Sequence, residues 1–418
     1  MDVREDARAH DRRATLQKAA VAGVLAAVWI GAALLLWPTR VPGDLRLPDL
    51  DPAAFFPAAH LVRAEQFASV VLAIFCATLA VELVVLGLCV RKARPIAARL
   101  APVTRGRVRT GVAMGFVCIA AVWLATLPLA AVGHWWGRRY DLTHQGYGGW
   151  LWDSLAGLAF RGVLYGVAIA GAVWLAGRFG RRWWIVASPI LVGLSVVFIL
   201  AQPLVVQPLF NHYKPLEDPR LEAEVERLAD RMGVDIQTVE VADASRRTTV
   251  ANASVAGIGP TRRVVFDDTI LDGRFTDAEL VSVAAHELAH IQRRHLWKGL
   301  VWFALLAVPG LFVVAWTTER RGGLRDPALV PLGLLVALLF YLATLPVQNA
   351  VSRRYEAEAD WIALEETRDP AAFVGLERRL ALSSLGDPDT PAWANFFLAT
   401  HPTTMQRIAM GEAYRARR

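Results

Sequence analysis

The chain is 418 residues long, 55% hydrophobic and only 20% charged, with a net charge of +7. That balance is too apolar for an ordinary soluble protein and calls for several bilayer spans. The positive charge does not indicate nucleic acid, because the two long polar segments are slightly acidic (11 Lys+Arg against 15 Asp+Glu in 207–295, 9 against 10 in 349–418), so the bases crowd into short loops beside apolar runs, as at membrane flanks.

Seven stretches approach the length needed to cross about 30 Å of hydrocarbon: 19–37, 67–90, 111–133, 155–177, 183–206, 299–316 and 328–348. The first follows a basic segment but is longer than a signal-peptide core and lacks a small-residue cleavage site, so it reads as an uncleaved span. The Pro-rich stretch 38–57 reads as a connector. Trp135, Trp136, Trp183, Trp184, Trp297 and Trp316 sit near span ends, which suits interfacial anchoring. Cys76, Cys89 and Cys118 lie inside apolar runs without paired spacing, so packing is expected of them and neither disulfides nor a thiolate metal site. Glu82 in the second span and Arg161 in the fourth are costly there, and are expected either to line an aqueous chamber or to be paired or snorkelling.

The expected organisation is therefore a membrane region over 1–206, a polar segment over 207–298, two further spans over 299–348 and a second polar segment over 349–418. In the first polar segment, Asp218–Met232 has the periodicity of a surface helix, and Thr238–Val241 and Arg263–Phe266 read as short strands separated by turn signals. Thr276 and Glu279 stand at capping-box spacing before a long helical pattern that begins near Ala278.

That helix carries Ala285-His286-Glu287-Leu288-Ala289-His290. Histidines four apart share a helix face, so both imidazoles can reach one ion. A catalytic zinc needs a third protein ligand and an open position, and Glu287 is suited to take a proton from water there. The third ligand must come from elsewhere. After the seventh span the chain reads Ser352-Arg353-Arg354-Tyr355-Glu356-Ala357-Glu358-Ala359-Asp360. Glu356 can ligate while Asp360, four residues on, accepts a hydrogen bond from a ligand histidine. Glu358 is equally eligible by type. His295, nine residues after His286, is off the ligand spacing and is expected to be structural or interfacial; His134, His144 and His212 sit near span ends, and no metal role is expected of them.

The combination resembles a membrane metallopeptidase family, the type-1 CAAX prenyl proteases and the HtpX heat-shock proteases. The resemblance is carried by the His-Glu-x-x-His helix and by Ser352, Arg353, Glu356, Ala359 and Asp360. It extends to His401-Pro402 with Arg407-Ile408, to Asn252-Ala253 followed by the 262–271 run Arg-Arg-Val-Val-Phe-Asp-Asp-Thr-Ile-Leu, and to Gln207-Pro208-Leu209-Phe210-Asn211. It covers about 205–410; the N-terminal half matches in span number and layout. Ala357 replaces a usually aromatic residue, and Ser254 a common Tyr.

The resemblance implies a mainly α, polytopic membrane protein of about seven transmembrane helices with a zincin-like α+β peptidase domain. Four Lys against 41 Arg reads as the codon bias of a GC-rich, bacterial genome, so a bacterial cell membrane is the expected location. The resemblance also implies Zn2+ on His286, His290 and Glu356, Glu287 as general base and Asp360 supporting a ligand. His401 and Arg407 would donate to the oxyanion, and the Asn252–Ala253 strand would hold an extended peptide. The expected partners are the lipid bilayer and a peptide or protein substrate, lipidated or membrane-associated, and no nucleic acid. A quality-control membrane protease and a non-catalytic scaffold or transporter remain as alternatives, but Glu287 has no duty in a closed structural site and so favours chemistry.

Overall fold

The computed structural model describes residue 20 and residues 23–203, 207, 211–257, 259–388 and 390–418. The chain is mainly helical. Five helical stretches are long and apolar enough to cross a membrane: Ala58–Arg91, Arg107–Arg139, Tyr147–Ala201, His295–Glu319 and Pro327–Thr367. A shorter apolar helix, Gly23–Leu36 (α1), precedes them. The fourth and fifth expected spans count as one stretch over 147–201 because only the tight turn at Gly180–Arg182 separates the two helices. Gly180, at φ +53°, takes up the left-handed backbone that lets the chain reverse without a loop. The first expected span and the end of the fifth lie partly outside the described residues, as does most of the Gln207–Asn211 run.

The membrane-length helices of the N-terminal half are α2 (Ala58–Arg91), α4 (Arg107–Arg139), α5 (Tyr147–Phe179) and α6 (Trp183–Ala201), with the short α3 (Ala93–Thr104) after α2. Helices α4 and α5 meet through glycines: a Cβ at Gly111 or Gly115 would collide with Val173 or Ile169. Small residues at four-residue spacing allow this close approach, which is how helices associate where lipid removes the hydrophobic drive. Glu82 and Arg161 interact electrostatically between α2 and α5.

The polar segments form one body. Helix α7 (Pro219–Arg231) starts where the Asp218 side chain accepts from the amides of Arg220 and Leu221, with Pro219 in the first turn. Strands β1 (Tyr213–Pro215), β2 (Thr238–Ala242), β3 (Ala253–Ala256) and β4 (Arg263–Asp267) form a sheet ordered β1-β2-β4-β3. Strands β2 and β4 are parallel, with Thr238 opposite Arg263; β3 is antiparallel to β4 and lies at the edge. Val225, Leu228, Val264, Phe266, Ile270, Leu288 and Ile362 bury the sheet against α7, α8 (Asp277–Gln292) and the end of α10 (Val330–Thr367). Helix α8 opens on the expected capping box: Thr276 Oγ1 accepts from the Glu279 amide at 3.3 Å, and Glu279 Oε2 accepts from the Thr276 amide at 2.8 Å.

Between them run α9 (His295–Glu319) and α10, and α11 (Pro370–Ser384), α12 (Ala392–Leu398) and α13 (Thr404–Ala416) complete the chain. No break falls at the expected boundary near 348. Helix α10 runs 38 residues without interruption, about 57 Å at 1.5 Å per residue, so a single rod passes from the apolar region into the peptidase body. The stretch 38–57 is more than a connector. Val41 and Leu45 pack on Trp361, Phe373 and Met410, and Leu50, Phe55 and Phe56 on Val374 and Ile408, so it straps across the C-terminal helices.

Candidate metal centre

The cap at Thr276 sets the register of α8, and that register places His286 and His290 one turn apart on a single face. Across from them α10 brings in Glu356. His286 Nε2 lies 3.1 Å from His290 Nε2, and Glu356 Oε2 lies 3.2 Å from the first and 3.6 Å from the second. Among the described residues these three form the group able to hold a metal ion. Tetrahedral ligands at 2.0–2.1 Å from zinc stand about 3.4 Å from one another, a value these separations bracket. Lone-pair atoms facing one another this closely repel unless a proton or a cation lies between them. Burial alone would lower the pKa of His286; the Asp360 and Glu356 carboxylates outweigh it and push it up to about 10. That affinity for positive charge at the point of convergence fits a metal site.

Glu356 and Asp360, four apart on α10, face the same helix. Asp360 is fully buried and its Oδ1 accepts from His286 Nδ1 at 2.8 Å, which leaves the other ring nitrogen of His286 for the centre. Glu358, two residues from Glu356, points about 200° around the helix. Its carboxylate accepts from Arg293 Nε at 2.7 Å and from the Arg40 amide at 2.9 Å, away from the convergence point.

Arg407 differs from the expectation that it reaches an oxyanion. Its Nε donates to Asp360 Oδ2 and its Nη1 pairs with Glu377, each at 2.8 Å, so the guanidinium is held behind His286 and does not line the cleft. Burial lifts the Glu377 carboxyl well above the ordinary carboxylate range despite Arg407 beside it; burial also disfavours the Arg407 charge, but Asp360 and Glu377 outweigh it and keep the guanidinium protonated.

A cleft of about 720 Å³ opens onto the centre. Its walls include Asn252, Ala253, Glu287, Trp302, Tyr355 and His401. Glu287 is half-buried and its carboxylate has no hydrogen-bonding partner among the described residues. His401 stands at the mouth with Nε2 3.3 Å from Glu356 Oε2 and Nδ1 2.9 Å from Thr400 Oγ1. Strand β3 contributes to the wall, its outer edge unpaired among the described residues.

His295 is not one of the three converging residues His286, His290 and Glu356, but it stands closer to them than helical period implies. On an unbroken helix nine residues turn its side chain to the face opposite His286. The helix instead ends at Gln292, and Arg294, at φ +55°, redirects the chain so that His295 Nδ1 lies 3.0 Å from His290 Nδ1. His134 and His212 are engaged elsewhere, with Gln145 and Asp243.

A water-accessible cleft with two helical histidines and a carboxylate, built onto apolar membrane-length helices, defines a membrane metallopeptidase. Residues 215–414 match the profile of peptidase family M48, and residues 40–212 match that of the CAAX prenyl protease N-terminal region with five membrane helices. The uncharacterized metalloprotease YhfN of Bacillus subtilis is 28% identical over 92% of this chain and 96% of its own. A CAAX prenyl protease 1 homolog of Oryza sativa is 28% identical over 62% of this chain and 63% of its own, and a protease HtpX homolog of Acidiphilium cryptum 31% identical over 46% and 72%. The fold matches the crystal structure of S. mikatae Ste24p with a TM-score of 0.74, at 19% identity, over 92% of this chain and 96% of that one. The chain belongs to peptidase family M48. It is a multi-pass membrane metalloprotease.

Proposed function

We propose that this protein is a zinc endopeptidase of type-1 CAAX prenyl protease architecture, with about seven transmembrane helices, that cleaves peptides presented at the membrane. The observation that carries the reading is the convergence of His286 Nε2, His290 Nε2 and Glu356 Oε2 at 3.1–3.6 Å beside an accessible cleft. When bound, zinc supplies the Lewis acidity that makes a water acidic enough to lose a proton near neutral pH.

The chain's own residues perform the remaining work. Glu287, adjacent to His286 and facing the cleft, receives the water's proton on its carboxylate and returns it to the leaving amine. The outer edge of β3 at Ala253 pairs with an extended substrate and sets its carbonyl before the histidines, with Asn252 beside it in the cleft wall. His401, oriented by Thr400, donates to the carbonyl oxygen as negative charge grows on it. Asp360 holds the His286 ring, and Arg407 holds Asp360.

For substrate, processing of lipidated proteins is favoured over quality control, because the CAAX-protease N-terminal profile extends over 40–212 whereas the HtpX likeness spans 46% of the chain. The deciding experiment is Glu287→Gln in purified full-length protein, assayed for zinc content and for cleavage of a peptide library with and without a C-terminal isoprenoid. The expected result is retained zinc and lost cleavage. Unchanged cleavage overturns the mechanism.

A further inference from the structure

His290 is backed by a set of buried polar groups that ligation does not require. His295 Nε2 lies 2.9 Å from Glu358 Oε2, and its Nδ1 lies 3.0 Å from His290 Nδ1. The ring stacks on Tyr355 with centroids 4.7 Å apart and planes 8° from parallel. Glu358 is fully buried, with Arg293 and the Arg40 amide on one oxygen and Lys298 Nζ 3.7 Å from the other. A fully desolvated carboxylate persists only where its oxygens meet donors, as the two oxygens of Glu358 do.

Matching donors to acceptors fixes the hydrogens. A carboxylate only accepts, so His295 Nε2 carries its hydrogen toward Glu358. A neutral His295 then presents a lone pair at Nδ1, and the short contact requires His290 to donate from its own Nδ1. That leaves His290 Nε2 bare, facing His286 Nε2 and Glu356 Oε2. The bare nitrogen is the one a cation takes.

We propose that His295, anchored by Glu358, is a positioning residue that holds His290 in the tautomer able to bind the metal. The inference rests on the zinc-site reading above. Asp360 serves His286 directly, whereas Glu358 serves His290 through an intermediate ring. Through the Arg40 amide the strap over 38–57 closes this relay, so a segment remote in sequence supports a ligand.

The test is the zinc dissociation constant of detergent-solubilised full-length protein, measured by chelator competition with thermal unfolding as the fold control. His295→Phe keeps the stack on Tyr355 but neither hydrogen bond, and is expected to weaken zinc binding about 10- to 100-fold. His295→Gln, whose amide can donate to Glu358 and accept from His290, is expected to stay within about threefold of wild type, since it preserves the outer hydrogen bonds. A packing role for the ring predicts the opposite order, and either that order or equal affinities would overturn the proposal. Should His295→Phe fail to fold, nitrogen NMR of metal-free wild-type protein with labelled histidine reads the tautomer directly. The Nδ1–H form at His290 supports the relay, and the Nε2–H form sinks it. Glu356→Ala is run alongside: zinc bound as tightly by it as by wild type, or no zinc on wild type, defeats the zinc-site reading, and the tautomer measurement still decides the role of His295.

Discussion

Glu356 and Glu358 stand two residues apart on one helix and face opposite sides of it, one toward the two histidines and the other into a buried nest of Arg293, His295 and Lys298. The two carboxylates therefore fail differently when removed. Glu356→Ala is expected to leave purified protein with substoichiometric zinc and near-normal thermal stability in the metal-free state. Glu358→Ala keeps all three ligands but takes the carboxylate from the half-buried Arg293 and Lys298 and the acceptor from the buried His295 Nε2, at a cost of about 1–3 kcal/mol in stability. Metal analysis and thermal unfolding of the two variants separate the effects; zinc lost only from Glu358→Ala would show that the ligand is misassigned.

The Arg407 guanidinium is committed to Asp360 and Glu377, so its contribution passes through Asp360. Arg407→Ala is expected to lower stability by about 3–5 kcal/mol, because it leaves two buried carboxyls without their partner. With Asp360→Asn added, the losses should overlap, with a coupling of about 1–3 kcal/mol in a double-mutant cycle. Additive losses would place Arg407 in an independent role, such as contact with substrate.

Asp267 ends β4, where burial first and then the neighbouring charge of Asp268 raise its carboxyl to about 6. Its folded pKa lies above the unfolded value near 3.8, so the protonated form favours folding. That benefit is complete below pH 4 and vanishes as pH climbs through 6. Asp267→Asn retains the backbone bond from this residue to the Asn252 carbonyl. The variant should gain about 1 kcal/mol at pH 7–8, after discounting for partial exposure, and nothing at pH 4. Denaturation at the two pH values checks this, and an equal gain at both would contradict it.

Thr276 starts the helix that carries both histidines. Thr276→Ala should cost about 1 kcal/mol through the lost cap. Thr276→Ser should restore most of it. Thermal unfolding distinguishes the two, and indistinguishable values would mean that the Arg379–Glu279 ion pair holds the helix start without the cap.

Much of this protein is legible in the chain because it depends on local spacing. Apolar runs of membrane length, the capping box at Thr276 and Glu279, histidines four apart and Glu356 four before Asp360 all follow from helical period and hydrophobic length, which are properties of neighbours in sequence. What neighbours do not encode is where helices stop and what distant segments touch. The commitment of Arg407 to Asp360 and Glu377, the contact of His295 with His290 and the strap that brings Arg40 to Glu358 were decided only by tertiary structure. Each depends on a turn such as that at Arg294, or on helices far apart in the chain packing together, and side chains buried at those junctions take their partners from the packing, not from the residues beside them.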